Sequence, residues 1–207
     1  MLALLIAMWQ FGQATYIHAK AWLAQRLIAD AWQHALDTGE TTPPWPWADT
    51  WPVARLRVST LGVDQFVLAG ADDRSIAFGP GLVHGTAAPG GHGNSVLGGH
   101  RDTHFSFLRD LRDGDLIEMQ ATDGHWHTYR VGALAVVDKR DLWVLEQHGP
   151  DRLSLVTCYP FDALSAGGDA RYLVVAERVT VGRPRPAAAI METPRAHHVT
   201  LARAEDG

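Results

Sequence analysis

Cysteine is the scarcest functional residue of this 207-residue chain, which contains only Cys158. A single thiol cannot form a disulfide within the chain, and it cannot build a cysteine-rich metal site. The fold therefore has to be stable without a disulfide. Three roles are left for Cys158: packing in the core, a bond to another molecule, and nucleophilic attack.

Positive charge is also in short supply. The chain has 18 lysines and arginines against 23 acidic residues, which gives a net charge of −5, and only two of the basic residues are lysines. Proteins that bind nucleic acid concentrate lysine and arginine against the phosphates, so nucleic acid is excluded as the main partner. The apolar fraction of 46% can build a substantial core, and the length predicts one domain with appendages.

The apolar segment at the N-terminus lacks a preceding basic residue and is short. The first nine residues carry no polar side chain, but Gln10 and Gln13 then interrupt the run. A membrane-spanning helix needs ~20 mostly apolar residues. We predict a short membrane anchor over residues 1–18, with a buried or amphipathic helix as the alternative.

Residues 19–50 are predicted to form an amphipathic helix followed by a proline-rich linker. Apolar residues recur at helical spacing from Trp22 to Leu36, and three prolines follow between positions 43 and 46. Residues 183–207 are polar with alanine and proline, and are predicted to be a disordered tail.

Between residues 51 and 182, short apolar runs alternate with turn residues. No strand is followed by a long helix, so the pattern predicts an all-β barrel or sandwich with short helices. The predicted strands lie at 53–60, 63–68, 95–99, 115–120, 126–137, 153–157 and 172–181, and a short helix is predicted over 105–111.

Three side chains at strand ends can together carry acyl-transfer chemistry. His100 follows the predicted strand 95–99, Cys158 follows 153–157, and Arg171 precedes 172–181. An imidazole beside a thiol favours the thiolate, and a guanidinium stabilises a thiolate or an oxyanion. The grouping predicts a cysteine nucleophile with a histidine acid/base. Other arginines compete for the stabilising role: Arg101, Arg152 and Arg178.

A zinc site is the rival interpretation of the histidines. His84, His92, His100 and His104 are spaced by eight, eight and four residues. The first two lie in a glycine-rich loop, residues 81–93, and no cysteine or acidic residue completes a zinc-ligand spacing. We therefore predict no metal site and no cofactor.

The motifs around these residues resemble those of the sortase family. Gly98-Gly99-His100-Arg101-Asp102-Thr103 is similar to the sortase histidine region. Leu153-Ser154-Leu155-Val156-Thr157-Cys158-Tyr159-Pro160-Phe161 is similar to the Thr-Cys strand, and Arg171-Tyr172-Leu173-Val174-Val175-Ala176 to the strand that carries the sortase arginine. The N-terminal segments resemble the anchor of a Gram-negative, proteobacterial type of sortase.

This resemblance implies an eight-stranded β-barrel at residues 51–182 and a membrane-bound cysteine transpeptidase without a cofactor. His100 would be the acid/base, Cys158 the nucleophile and Arg171 the electrostatic stabiliser, with Thr157 and Asp102 as secondary positioning candidates. The implied substrate is a secreted protein with a C-terminal Leu-Pro-x-Thr-Gly-like sorting signal, and the implied acceptor is an amine. The catalytic domain would lie on the extracytoplasmic (periplasmic) side of the bacterial cytoplasmic membrane, without an autoinhibitory lid.

Two other functions use the same residues differently. A cysteine hydrolase would resolve the acyl-enzyme with water, and a membrane-tethered β-barrel binding module would bury an inert Cys158. A cysteine-dependent L,D-transpeptidase is disfavoured because its Ser-His-Gly-Cys grouping is absent from the chain.

Overall fold

The computed structural model of the chain describes residues 2–72, 74–163 and 167–179. These residues form eight strands: β1 (Pro52–Val58), β2 (Val63–Ala69), β3 (Gly81–Leu82), β4 (Asn94–Gly98), β5 (Leu116–Ala121), β6 (Trp126–Asp138), β7 (Arg152–Cys158) and β8 (Ala170–Arg178). The strands close into a barrel in the order β1–β2–β3–β4–β7–β8–β6–β5, and antiparallel pairing of β1 with β5 completes it. The eight-stranded barrel with short helices is thus confirmed, whereas the predicted tail at 183–207 lies outside the described residues.

In the described part of the chain, four short 3₁₀ helices lie in the connections between strands. One of them, Ser106–Asp110, matches the short helix predicted over residues 105–111. Their bounds are Ser59–Leu61, Ser75–Ala77, Ser106–Asp110 and Leu142–Leu145.

The barrel interior is filled by alternate residues of the strands. On β1, Ala54, Leu56 and Val58 are fully buried while the residues between them are partly exposed. On β7, Leu153 and Leu155 are likewise fully buried. Because side chains alternate between the two faces of a strand, the residues between these positions project to the outside of the barrel. Each buried leucine stabilises the fold by roughly 1.5–3 kcal/mol.

Strand β3 is the element that sequence reasoning missed. Gly81–Leu82 pairs in parallel with β2 and antiparallel with β4, in a region predicted as a glycine-rich loop. Two residues are too few to produce an alternating pattern. Gly81 is required here because a Cβ atom would overlap the backbone of Gly70 and Ala71.

The predicted anchor and amphipathic helix are joined in one helix, α1 (Leu2–Thr38), of 37 residues. Its C-terminal half packs on β1 and β2. The buried residues of this half recur at helical spacing: Ala24, Ile28, Ala31, Trp32 and Ala35. The Trp32 ring packs on Phe66 of β2 at 6.3 Å between centroids. Among the residues described, none of the helices combines the length and the apolar character needed to cross a membrane.

Candidate active site

Cys158 and Arg171 face each other across neighbouring strands. Cys158 ends β7 and lies directly opposite Arg171 in the antiparallel β7–β8 ladder. Directly opposed residues project to the same face of a sheet. Thr157 points to the buried face, so Cys158 and Arg171 project to the outside of the barrel, where both are partly exposed. The thiol is therefore accessible rather than sealed in the core.

His100 is brought to the same edge by β4, which runs parallel to β7. The ladder continues one residue past β4, where the Gly99 amide donates to the Val156 carbonyl at 3.3 Å. The Thr157 hydroxyl donates to the Gly99 carbonyl at 2.7 Å. Thr157 thus links the turn that carries His100 to the strand that carries Cys158. This contact therefore helps to position the backbone that carries His100.

Gly99 allows the His100 turn to pack closely on the core. A Cβ atom at Gly99 would lie 2.9 Å from the ring of Phe105, which is fully buried beneath the turn. The Phe105 amide also donates to the His100 carbonyl at 2.9 Å. A glycine at this position and an aromatic residue six positions later therefore determine the course of the backbone around His100.

An open cleft of about 520 Å³ contains His100, Cys158 and Arg171 together. Its walls are largely apolar, and its polar rim includes Asp102. Asp102 is exposed, and within the described part of the chain no hydrogen bond joins it to His100. The apolar lining residues are Ala71, Ile76, Val83, Val96, Val137, Leu142, Val144, Leu145 and Val156.

The register of β7 and β8 separates Arg171 from two of its competitors. Arg152 lies six residues before Cys158 on β7, a distance of about 20 Å along a strand. Arg178 lies at the far end of β8, where it donates to the Gly90 carbonyl at 2.9 Å. Arg101 is next to His100, but its side chain is buried and donates to the Ala163 carbonyl at 2.9 Å. Arg171 is the arginine that is both paired with Cys158 and partly exposed.

The Arg171 guanidinium is held near the strand end by backbone carbonyls. Its Nη1 donates to the Gly168 carbonyl at 2.9 Å and to the Ala170 carbonyl at 3.0 Å. The Nη1 edge of the planar group is thereby held in place, and the Nε and Nη2 groups remain available as donors to a ligand. An arginine in this position can stabilise negative charge that develops near the thiol.

An aromatic cluster supports the turn that follows Cys158. The rings of Tyr159 and Tyr172 stack at 6.1 Å, and Phe161 packs edge-on against Tyr172 at 5.2 Å. Tyr172 immediately follows Arg171, so the cluster joins the two strand ends that carry the thiol and the guanidinium. The aromatic residues of the Tyr-Pro-Phe sequence thus have a packing role beside the site.

Sequence reasoning missed Asn94, which anchors one wall of the cleft. Its amide donates to the Val144 carbonyl at 2.8 Å and accepts from the Ser154 hydroxyl at 2.8 Å. Asn94 and Ser154 are both buried. The contact holds the 3₁₀ helix Leu142–Leu145 over the outer face of β4 and β7. A polar residue at the start of an apolar strand was the available signal, but its partner is 50 residues away.

We expect Asn94→Ala to loosen this wall, because it leaves the buried Val144 carbonyl and Ser154 hydroxyl without their partner. Loss of a buried hydrogen-bond partner costs about 1–3 kcal/mol. The free energy of unfolding in urea should fall by about that amount. The variant Thr60→Ala, at an exposed site, is the control, and an equal loss of stability in both variants would contradict the anchoring role.

The sortase domain family matches residues 56–179, which run from β1 to the end of β8. The chain belongs to the sortase family. It is 31% identical to sortase D of Bacillus subtilis (strain 168) over 126 residues, which are 60% of this chain and 63% of that protein. It is 26% identical to sortase A of Bacillus anthracis over 110 residues, which are 51% of each protein. The chain thus spans less than two thirds of the length of these curated relatives.

Solved sortase structures have the same fold. The sortase D5 transpeptidase of Clostridium perfringens superposes with a TM-score of 0.61 at 21% identity, covering 76% of this chain and 96% of that one. At this level of identity the likeness concerns the barrel alone. The sequence-derived resemblance to a sortase is confirmed, while its proteobacterial subtype stays a prediction.

The Thr157 contact yields a prediction for this sortase site. Thr157→Val keeps the shape of the side chain but leaves the Gly99 carbonyl without its donor, so we expect a loss of about 1–3 kcal/mol of stability. We also expect slower alkylation of Cys158 by iodoacetamide, because the His100 turn is no longer tied to β7. Thr60→Val, at an exposed site, is the control. Unchanged alkylation in Thr157→Val would assign Thr157 a purely structural role.

Proposed function

We propose that the chain is a cysteine transpeptidase that cleaves a C-terminal sorting signal and transfers the acyl group to an amine. The observation that carries this proposal is the direct pairing of Cys158 with Arg171 in a cleft that also contains His100. Membership of the sortase family supports the same reaction. His100 serves as acid/base, Cys158 as nucleophile and Arg171 as the electrostatic stabiliser.

In the first half-reaction, the Cys158 thiolate attacks the carbonyl carbon of the scissile amide. The new C–S bond forms as the carbonyl π electrons move to oxygen, and Arg171 stabilises the resulting oxyanion. The tetrahedral intermediate then collapses and the C–N bond breaks. His100, as imidazolium, gives its proton to the departing amine, which leaves a thioester on Cys158.

In the second half-reaction, an amine acceptor attacks the thioester carbonyl and loses a proton to His100. A C–N bond forms and the C–S bond breaks, which returns the thiolate and the imidazolium to their starting states. One amide bond is exchanged for another, so the cycle needs no cofactor and no external energy source. Thr157 contributes indirectly by tying the His100 turn to β7.

The proposed substrate is a secreted protein that ends in a Leu-Pro-x-Thr-Gly-like signal. An extended apolar cleft suits the leucine and proline of such a peptide, because burial of apolar side chains supplies the binding energy. The cleft is lined mostly by apolar residues, and Cys158 and Arg171 are also part of its lining.

We further propose that the protein acts at the extracytoplasmic face of the cytoplasmic membrane, with its N-terminus as the anchor. The first nine residues carry no polar side chain, and Trp22 and Leu23 are 70% and 50% exposed on α1. Exposed tryptophans are typical of segments at a membrane interface. Recovery of the full chain in membranes after an alkaline carbonate wash is the expected result, and complete release would overturn the anchor.

The reaction is tested with purified protein, a Leu-Pro-x-Thr-Gly peptide and an added amine. The expected product is the peptide acyl group joined to the amine, detected by mass spectrometry. Release of the free acid alone, even at high amine concentration, would make the protein a hydrolase. A cysteine that resists iodoacetamide in the folded protein, with no product of either kind, would favour the binding module.

A further inference from the structure

One wall of the cleft is formed by residues 74–78, which we call the wall segment. It contains the 3₁₀ helix Ser75–Ala77, in which Ile76 lines the cleft and Ser75 is buried. The Asp72 carboxylate accepts hydrogen bonds from the Ser75 amide at 3.0 Å and the Ser75 hydroxyl at 3.1 Å. The segment is therefore an ordered part of the cleft.

Helix α1 and the linker hold the wall segment from outside the barrel. The Gln25 amide group donates to the Phe78 carbonyl at 2.7 Å, across 53 residues of sequence. The Trp45 ring of the linker packs edge-on against the Phe78 ring at 5.1 Å. Phe78 thus receives a hydrogen bond from α1 and a ring contact from the linker, two residues after Ile76.

The turn that carries His100 holds the wall segment from the other side. The partly buried His104 imidazole interacts electrostatically with the backbone of Ala77, and burial lowers the pKa of His104, which favours its neutral form. The His104 carbonyl accepts from the Gln65 side chain at 3.1 Å. The wall segment therefore connects α1 with the turn of the acid/base histidine.

We propose that Gln25 is a positioning residue for the active site. It acts through Phe78 and Ala77 on two parts of the cleft, the peptide-binding wall at Ile76 and the turn that carries His100. This inference rests on the proposed function for its effect on peptide binding. It assigns α1 a role in substrate affinity and thiol reactivity, in addition to any role in attachment.

Substitutions at Gln25 separate the hydrogen bond from the helix itself. Gln25→Met keeps the length and helix propensity of the side chain but removes the donor, whereas Gln25→Lys keeps a donor. Gln33→Met is the matched control on the same helix, because Gln33 is exposed and bonds only to Asp37 of α1 among the described contacts.

The experiment uses the full chain, a Leu-Pro-x-Thr-Gly peptide and iodoacetamide. We expect Gln25→Met to raise KM about fivefold, the factor that corresponds to one hydrogen bond, with kcat within about twofold of wild type. Alkylation of Cys158 should slow by about twofold, because a looser wall also loosens the His100 turn. Gln25→Lys should restore both values, and Gln33→Met should leave both unchanged.

Two results would overturn the inference: wild-type KM and alkylation in Gln25→Met, or equal changes in Gln33→Met. A lower Tm without these changes would likewise reduce Gln25 to a structural role. Failure of the proposed function is a separate outcome, recognised when wild-type protein turns over no peptide. The alkylation rates still test the positioning role in that case, since they require no substrate.

Discussion

Replacement of Cys158 with alanine is expected to abolish both thioester formation and amine transfer. No other thiol exists in the chain, so no residue can replace the nucleophile. The barrel should stay folded, because Cys158 is partly exposed at the end of β7 and its sulfur fills no core cavity. Enzymes that lose a covalent nucleophile commonly fall by about 10⁶-fold in kcat, so activity should drop below detection.

The measurement is mass spectrometry of the enzyme mixed with peptide, which detects the acyl-enzyme, followed by assay of the amine product. Circular dichroism and the urea midpoint establish that the variant is folded. Thr60→Ala, remote from the cleft on an exposed 3₁₀ helix, is the control and should retain full activity. Product formation by a folded Cys158→Ala variant would end the proposed mechanism.

Replacement of Arg171 with lysine should lower kcat/KM by about 10²-fold or more, the effect of removing one oxyanion donor. Lysine keeps the positive charge but lacks the planar fork of donors. In Arg171 the Nη1 nitrogen already donates to the Gly168 and Ala170 carbonyls, and Nε and Nη2 remain available for the reacting group. The single ammonium group of lysine cannot donate to these backbone carbonyls and to the oxyanion with the same geometry.

The control for this substitution is Arg178→Lys, seven residues further along the same strand. Arg178 binds the Gly90 carbonyl and lies 3.5 Å from Asp151, at the end of β8 remote from Cys158. We expect its kcat/KM to stay within about threefold of wild type, since it makes no contact with the reacting atoms. Full activity of Arg171→Lys together with a large loss in Arg178→Lys would contradict the assignment of the stabilising role to Arg171.

Local sequence patterns predicted most of the barrel strands. The apolar runs of β6 and β7 were located to within one residue at each end, because they are long or bounded by clear turn residues. Strand β3 could not be found, since its two residues derive their conformation from pairing with β2 and β4. The extent of α1 was also unclear from sequence, because glutamines interrupt its apolar pattern while leaving its helical backbone intact.

Sequence also predicted only part of the candidate site. The motifs pointed to His100, Cys158 and Arg171 as candidate residues, but four arginines competed for one role. The register of β7 against β8 placed Arg171 opposite Cys158, and Arg152 and Arg178 at the other end of the barrel. Asn94 and Gln25 gave no comparable signal, because their importance lies in partners 50 and 53 residues away.

The sequence by itself determined the family, the chemical groups available for acyl transfer and the positions of most strands, because these depend on residue type and on neighbours a few positions apart. Only the tertiary structure decided which arginine faces the thiol, how the barrel closes between β1 and β5, and that α1 braces a wall of the cleft. Each of these depends on contacts between segments that are distant in the chain, and local side-chain periodicity carries no information about which segments will meet.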